Sequence, residues 1–228
     1  MSTDSERSKG GRYHHGDLRR ALLDAALEQV QQEGAATLSL REVARRAGVT
    51  HAAPYRHFAS KEALLAAVAE EGFRTLREGL LEASVRLAGD PLGKLQAIGV
   101  AYVLFAVAHP AHFRVMFTVG QNDCDYPSLD EASGSAFGVL VESIEEGRQA
   151  GALCDVPASE LAVTAWSTVH GLASLLVEEK LPPAAGSAEQ LARMVTARLL
   201  EGLAAPAETT ADAKKTKPAK RAAKGANR

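Results

Sequence analysis

The sequence predicts an all-α fold of about nine helices, and three observations predict it. Eight of the nine prolines (91, 110, 127, 157, 182, 183, 206 and 218) fall between or beside apolar periodic stretches, where proline starts or stops a helix. The stretches between them are rich in Ala, Leu, Glu and Arg, all strong helix formers. Alternating β-branched runs, the mark of half-buried strands, are absent. A chain of 228 residues makes one large domain or two small ones, with a core that needs no staple. Cys124 and Cys154 have no C-x-x-C spacing and read as reduced thiols of a cytosolic protein. The N-terminal segment lacks the apolar centre of a secretory signal. The longest nearly apolar run, Ala97–Ala108, is shorter than the ~20 residues of a spanning helix, so no membrane association is expected.

The first helix is expected over Asp17–Glu33, with Leu18, Leu22, Ala26 and Val30 on one face and Gly34 as its stop. The second starts at Ser39, where Ser39 and Glu42 have capping-box spacing, and ends at Gly48. The third is expected over His51–Phe58 with Thr50 as N-cap. Ser60 caps a long fourth helix. Asp90 and Pro91 open the fifth, which stops at His109, and a short sixth covers Pro110–Phe117. After a loop at 118–127, a seventh runs over Ser128–Ala150 and an eighth over Ser159–Lys180. Ser187 and Gln190 form a second capping-box pair that opens the ninth, to about Ala204. Residues 206–228 are Ala, Lys, Thr and Pro without apolar periodicity and are expected to be a disordered tail.

Charge is distributed unevenly behind a net value of −2. Residues 1–61 hold 10 Lys+Arg against 7 Asp+Glu, with four histidines besides; residues 62–205 hold 9 against 19; residues 206–228 hold 7 against 2. A basic head and tail on an acidic body suggest that the ends meet an anionic polymer. An uneven but merely solvated surface explains the same numbers.

The informative segment is LSLREVARRAGVTHAAPYRHFASKEALL, Leu38–Leu65. A short helix, a turn through Gly48 and Val49 and a second short helix make a helix-turn-helix. Small Ala44 and Ala47 let the helices approach, and Gly48 supplies the turn. The segment resembles the DNA-binding domain of the TetR family of bacterial transcriptional repressors. Tyr55-x-x-Phe58 followed by Ser60, Lys61, Glu62 and Leu64 is similar to that family's signature after the turn. Tyr13 to Arg19, Thr50 to Phe58, and Trp166-x-x-x-His170-Gly171 resemble the subgroup named for its Trp-His-Gly C-terminal domain.

The resemblance implies that the third helix enters the major groove of double-stranded DNA. Thr50 would touch phosphate as well as cap, and His51, Ala52 and Pro54 would lie within reach of base edges. Ala52 and Pro54 offer only apolar contact, for example to thymine methyls. Tyr55, His57 and Lys61 match positions that contact phosphate, Ser39 and Arg41 sit where a second phosphate would lie, and Arg12 could reach a neighbouring groove from the arm. His14 and His15 are either DNA contacts or solvated loop residues. Phe58 reads as a core aromatic. Pro54 departs from the family's common residue, although it is usual in the subgroup.

The expected organisation is a flexible arm at 1–14, a helix-turn-helix domain at 15–60, a helical ligand-binding and dimerisation domain at 61–205, and the basic tail. Tyr102, Phe105, Phe113, Met116, Phe117, Trp166 and His170 could line an apolar pocket for a small-molecule effector, or be core residues at helical spacing. Leu161, Thr164, Ala165, Thr168, Leu172 and Leu175, with Leu191, Met194, Val195, Leu199 and Leu203, make a broad apolar stripe, which the resemblance implies is one half of a four-helix homodimer interface. The dimer would read a palindromic operator. His109 and His112 with Asp123, Cys124 and Asp125 do not have convergent metal-ligand spacing, and no metal or cofactor is expected. Neither a phosphate-cradling glycine motif nor a nucleophile elbow is present, so no enzymatic activity is expected. The alternatives are an enzyme or metal sensor on the helical body, or a DNA-compacting protein dominated by its tail.

Overall fold

The computed structural model describes residues 15–85, 87, 89–118, 126–182 and 185–205. Among these are eight α-helices: α1 (His15–Glu33), α2 (Leu40–Arg46), α3 (Lys61–Val85), α4 (Pro91–Ala108), α5 (Pro110–Met116), α6 (Pro127–Gln149), α7 (Ala158–Val177) and α8 (Ala188–Leu203). Two 3-10 turns, Ala35–Thr37 and Pro54–Arg56, lie between α1 and α3. The one pairing of extended backbone among the described residues is an isolated bridge between Leu153 and Ala204. The arm before His15, residues 119–125 with Cys124, and the tail from 206 lie outside the described residues.

Local chemistry accounts for most boundaries. Gly34, at φ 86°, ends α1, with its amide on the Val30 carbonyl at 2.9 Å. Asp90 accepts from the Gly93 amide at 2.9 Å ahead of Pro91, and Ser60 accepts from the Ala63 amide at 3.2 Å. Ser187 and Gln190 form their capping box reciprocally, at 3.2 and 2.9 Å.

Two expectations at the head are corrected. Ser39 sits at the N-cap of α2 but its side chain makes no cap bond. Glu42 turns instead to Arg45 and Arg46, whose charged donors outcompete an amide. The α-helix expected over His51–Phe58 is a turn followed by the 3-10 segment. Pro54 has no N–H to give the Thr50 carbonyl, so that carbonyl takes the Ala53 amide at 2.9 Å and the tighter pattern continues with Arg56 on Ala53. Thr50 is thus not the N-cap of a helix.

One hydrophobic cluster runs unbroken from the head into the body. Leu22 and Val30 of α1, Val43 of α2, Phe58, and Leu64 and Val68 of α3 continue into Val103, Val115 and Ala173. Burying each large aliphatic side chain here contributes about 1.5–3 kcal/mol. A second cluster, with Leu95, Ile144, Leu153, Leu161 and Leu203, closes the far end. The central α4 packs against α3, α6, α7 and α8. Both α4 and α7 are long and apolar enough to cross a membrane, beyond the shorter run read from the sequence. Here one side of each packs on neighbouring helices, while Leu104 and Val107 of α4 and Val163 and Leu175 of α7 stay exposed.

The stripe expected to form a dimer interface divides between two faces. Leu161, Ala165 and Leu172 on α7, and Leu191 and Leu203 on α8, are buried in the chain's own core. Thr164, Leu175 and Met194 face outward, joined by Val163, Ser167 and Gly171, which sequence reading left out. Period-3.6 patterning finds an apolar stripe without telling which of its edges the chain's own core covers.

Candidate functional site

The head presents an exposed, positively charged face. After α2, the Val49 amide bonds the Ala44 carbonyl at 3.0 Å and Gly48 turns the chain at φ 69°. Arg41, Thr50, His51, Ala52, Tyr55 and Arg56 are exposed, with Tyr55 at 61%. Arg45 and Arg46 are neutralised: Arg45 holds the Glu42 carboxyl down at about 2, helped by Arg46, which also pairs with Glu33. Arg41 and Arg56 have no carboxylate partner among the described residues. Arg56 was missed in the sequence reading; its signal was an arginine between two residues of the Tyr-x-x-Phe pattern.

The other expected DNA-contacting residues sit less openly. Ser39 is exposed, and its amide is held by the carbonyl oxygen of buried Gln29 at 3.4 Å. His57 is half-buried beside Phe58. Lys61 donates from Nζ to the Ala36 carbonyl at 2.7 Å, tying α3 to the turn after α1. Pro54 is fully buried, so the expected apolar contact from it to a base is not available in this arrangement. Phe58 is a core residue, 4% exposed, with the Arg19 guanidinium 5.6 Å from its ring centre.

The body holds a partly open cavity of about 310 Å³ between α3, α4, α6, α7 and α8, with Phe137 exposed at its edge. Tyr102, Phe117 and Trp166 line it, as expected; Phe105, Phe113, Met116 and His170 do not. Phe105 packs on His109, with ring centres 4.9 Å apart, and Met116 is buried against α3 under Gly72. Phe113 and His170 form a layer behind the wall, 5.3 Å apart, with Phe117 4.5 Å from His170. Sequence reading missed Phe73, Leu76, Phe137 and Thr196 among the lining residues.

A node of side chains bonded to one another stands in the mostly apolar wall. Tyr102 Oη lies 2.8 Å from His170 Nδ1 and accepts from Trp166 Nε1 at 3.4 Å. Burial pushes the Tyr102 phenol up and His170 down, which keeps the phenol protonated and the imidazole neutral. A second charged junction lies beyond the cavity, where Glu71 of α3 meets Arg20 of α1 and His112 of α5. Among the described residues no three His, Cys, Asp or Glu side chains converge as a metal site would need.

The chain is similar to known proteins over both regions. Residues 22–68 match the family model "Bacterial regulatory proteins, tetR family", and residues 95–199 match "Tetracyclin repressor-like, C-terminal domain". It is 32% identical over 110 residues to the HTH-type transcriptional regulator AcrR of Shigella flexneri, 48% of this chain and 51% of that protein. It is 38% identical over 80 residues to BetI of Agrobacterium fabrum, 35% of this chain and 38% of that one. It thus spans about half the length, or less, of these curated relatives. A solved structure of a Rhodococcus sp. RHA1 protein of unknown function superposes with a TM-score of 0.75 at 34% identity, covering 85% of this chain and 99% of that one. Bacillus subtilis FadR in complex with stearoyl-CoA superposes at 0.68 and 17% identity, covering 80% and 98%, a likeness of fold. With two family models that take in the helix-turn-helix and the body, the chain belongs to the TetR family of helix-turn-helix transcriptional regulators.

Proposed function

We propose that the chain is a cytoplasmic, homodimeric repressor that binds a palindromic operator and releases it when a small apolar molecule enters the body. The observation that carries this reading is the layout of α3. One end of this helix follows the turn that carries Tyr55 and Arg56 and buries Leu64 and Val68 in the core of the head, and its middle, at Phe73 and Leu76, walls the cavity. A change in cavity occupancy therefore has a rigid path to the DNA-facing surface; couplings of this kind are worth ~1–3 kcal/mol. An apolar effector fits the apolar lining, and the stearoyl-CoA bound by Bacillus subtilis FadR is a precedent for an acyl ligand in this fold.

His51 and Ala52 are the base-reading candidates, with Ser39, Arg41, Thr50, Tyr55, Arg56, His57 and Lys61 on phosphate. The dimer would form through the outward edges of α7 and α8. Gly171 supports this, since it is exposed and a Cβ there would meet nothing within 4 Å of its own chain, leaving room for a partner helix. Trp166, His170 and Gly171 favour the Trp-His-Gly subgroup. The test is retardation of duplex DNA from the flank of the protein's own gene. A dimer-sized complex that withstands excess random DNA supports the reading, and equal binding to random DNA refutes it.

A further inference from the structure

The cavity has a chemical signature more specific than apolarity. Among the described residues, no Asp, Glu, Lys, Arg or His side chain lines it. A charged group held among these side chains would give up hydration without gaining a counter-charge. The walls are aromatic on several sides: Phe73 and Phe117 meet edge-on at 5.6 Å, and Phe137 and Trp166 do so at 5.9 Å. Such rings favour a flat aromatic guest, edge to face or offset. The volume, about 310 Å³, is roughly twice the ~150 Å³ of an apolar cavity that takes up benzene, which sets the guest at about two fused rings.

Most polar groups on the wall are already engaged. Thr196 spends its hydroxyl proton on the Ala192 carbonyl and Ser133 on the Asp130 carbonyl, and Gln96 gives one amide N–H to the Arg193 carbonyl at 3.4 Å in an exposed bond, whereas Tyr102 is buried. Tyr102 Oη differs. A phenol oxygen has one proton and two acceptor positions. If His170 Nδ1 takes the proton and Trp166 fills one acceptor position, the other acceptor position remains. In the other imidazole tautomer, His170 and Trp166 both donate and the phenol proton is left over. Either way the node has one unused hydrogen-bonding valence.

We propose that the cavity takes a compact, uncharged aromatic molecule with a single hydroxyl group, and that Tyr102, set in place by His170 and Trp166, bonds that hydroxyl. This rests on the reading of the body as an effector site. A hydroxyl suits the node because it donates or accepts, matching whichever valence the His170 tautomer leaves.

The experiment is calorimetric titration of the full chain, without DNA, with 2-naphthol, naphthalene and 2-naphthoate. 2-Naphthol should bind at least tenfold more tightly than either of the others. Tyr102→Phe should remove the advantage over naphthalene while leaving naphthalene's own affinity unchanged, which shows the cavity still folded. Equal binding of all three, preference for the carboxylate, selectivity that survives Tyr102→Phe, or no binding of 2-naphthol would each overturn the proposal. Because DNA is absent, such a failure leaves operator binding untouched. Failure to retard DNA, with naphthol selectivity intact, would count against the regulator reading alone.

Discussion

Arg20 of α1 donates to Glu71 of α3 at 2.7 Å, across the seam between the head and the body. The same carboxylate faces His112 of α5, whose Nε2 is 3.6 Å away, buried and without a hydrogen-bond partner. One side chain thus joins α1, α3 and α5.

That junction carries a pH prediction. Burial is the main cause of the lowered His112 pKa; the Glu71 charge opposes it, and His109 and Arg20 reinforce it. His170 is lowered by burial too. Unfolded histidines titrate near ~6.5, so in acid the unfolded chain takes up protons that the fold resists. The associated stability is full above about pH 6.5 and is lost as pH falls below it. Thermal unfolding should show a lower Tm at about pH 5.5 than at about pH 7.5. Glu71→Gln removes the opposing charge, so its loss in acid should be steeper, on top of about 0.2–1 kcal/mol for the partly exposed ion pair. An unaltered pH profile in Glu71→Gln would contradict this account of the junction.

Close packing of α4 on α8 gives a second prediction. A Cβ on Gly99 would stand 2.8 Å from Thr196 Cγ2, and Thr196 is 2% exposed. Because a β-branched side chain in a helix has few rotamers to escape into, Gly99→Ala should cost about 1–3 kcal/mol in denaturant unfolding. Adding Thr196→Ser removes the obstructing methyl and should restore most of the loss. By contrast, Gly79 has nothing within 4 Å, and Gly79→Ala should stabilise by about 0.4–1 kcal/mol.

The ion pairs of the head separate its arginines. Arg41→Ala and Arg56→Ala should each lower the slope of log affinity against log salt by up to ~0.9, without changing stability. Arg45→Ala should leave that slope nearly unchanged, because Glu42 already neutralises Arg45. Equal effects of all three on the slope, measured by anisotropy, would show that these ion pairs open on DNA.

Deleting 206–228, with 7 Lys+Arg against 2 Asp+Glu, should flatten the salt dependence and preserve operator preference, since contacts to phosphate read no bases. An unchanged slope would show that the tail does not touch DNA.

Helix existence was legible wherever a local device marks it, as Gly34, Asp90 with Pro91, and the Ser187–Gln190 pair do. It was not legible at 51–58, where one missing amide at Pro54 tips an α-helix into a 3-10 turn. At Ser39 the helix start was legible but the capping bond was not, because the competing partners of Glu42 come from the next turn. The cavity was half legible. Helical spacing places Tyr102, Phe113, Phe117 and Trp166 on inward faces, yet only the packing of α3 and α6 against them decides which face space and which face one another. Phe73 looked like any core residue of a long helix, and nothing local separates a cavity wall from a filled core.

The central claim is sequence-specific DNA binding by the face that holds His51, Tyr55 and Arg56. Its most direct measurement is selection of random duplex DNA on the full chain, sequenced after several rounds, beside the same selection with His51→Ala. The account predicts enrichment of a two-fold symmetric site by the native chain and an altered or lost preference at paired positions in His51→Ala. Recovery of DNA without any enriched sequence, or an identical site from both proteins, would contradict it.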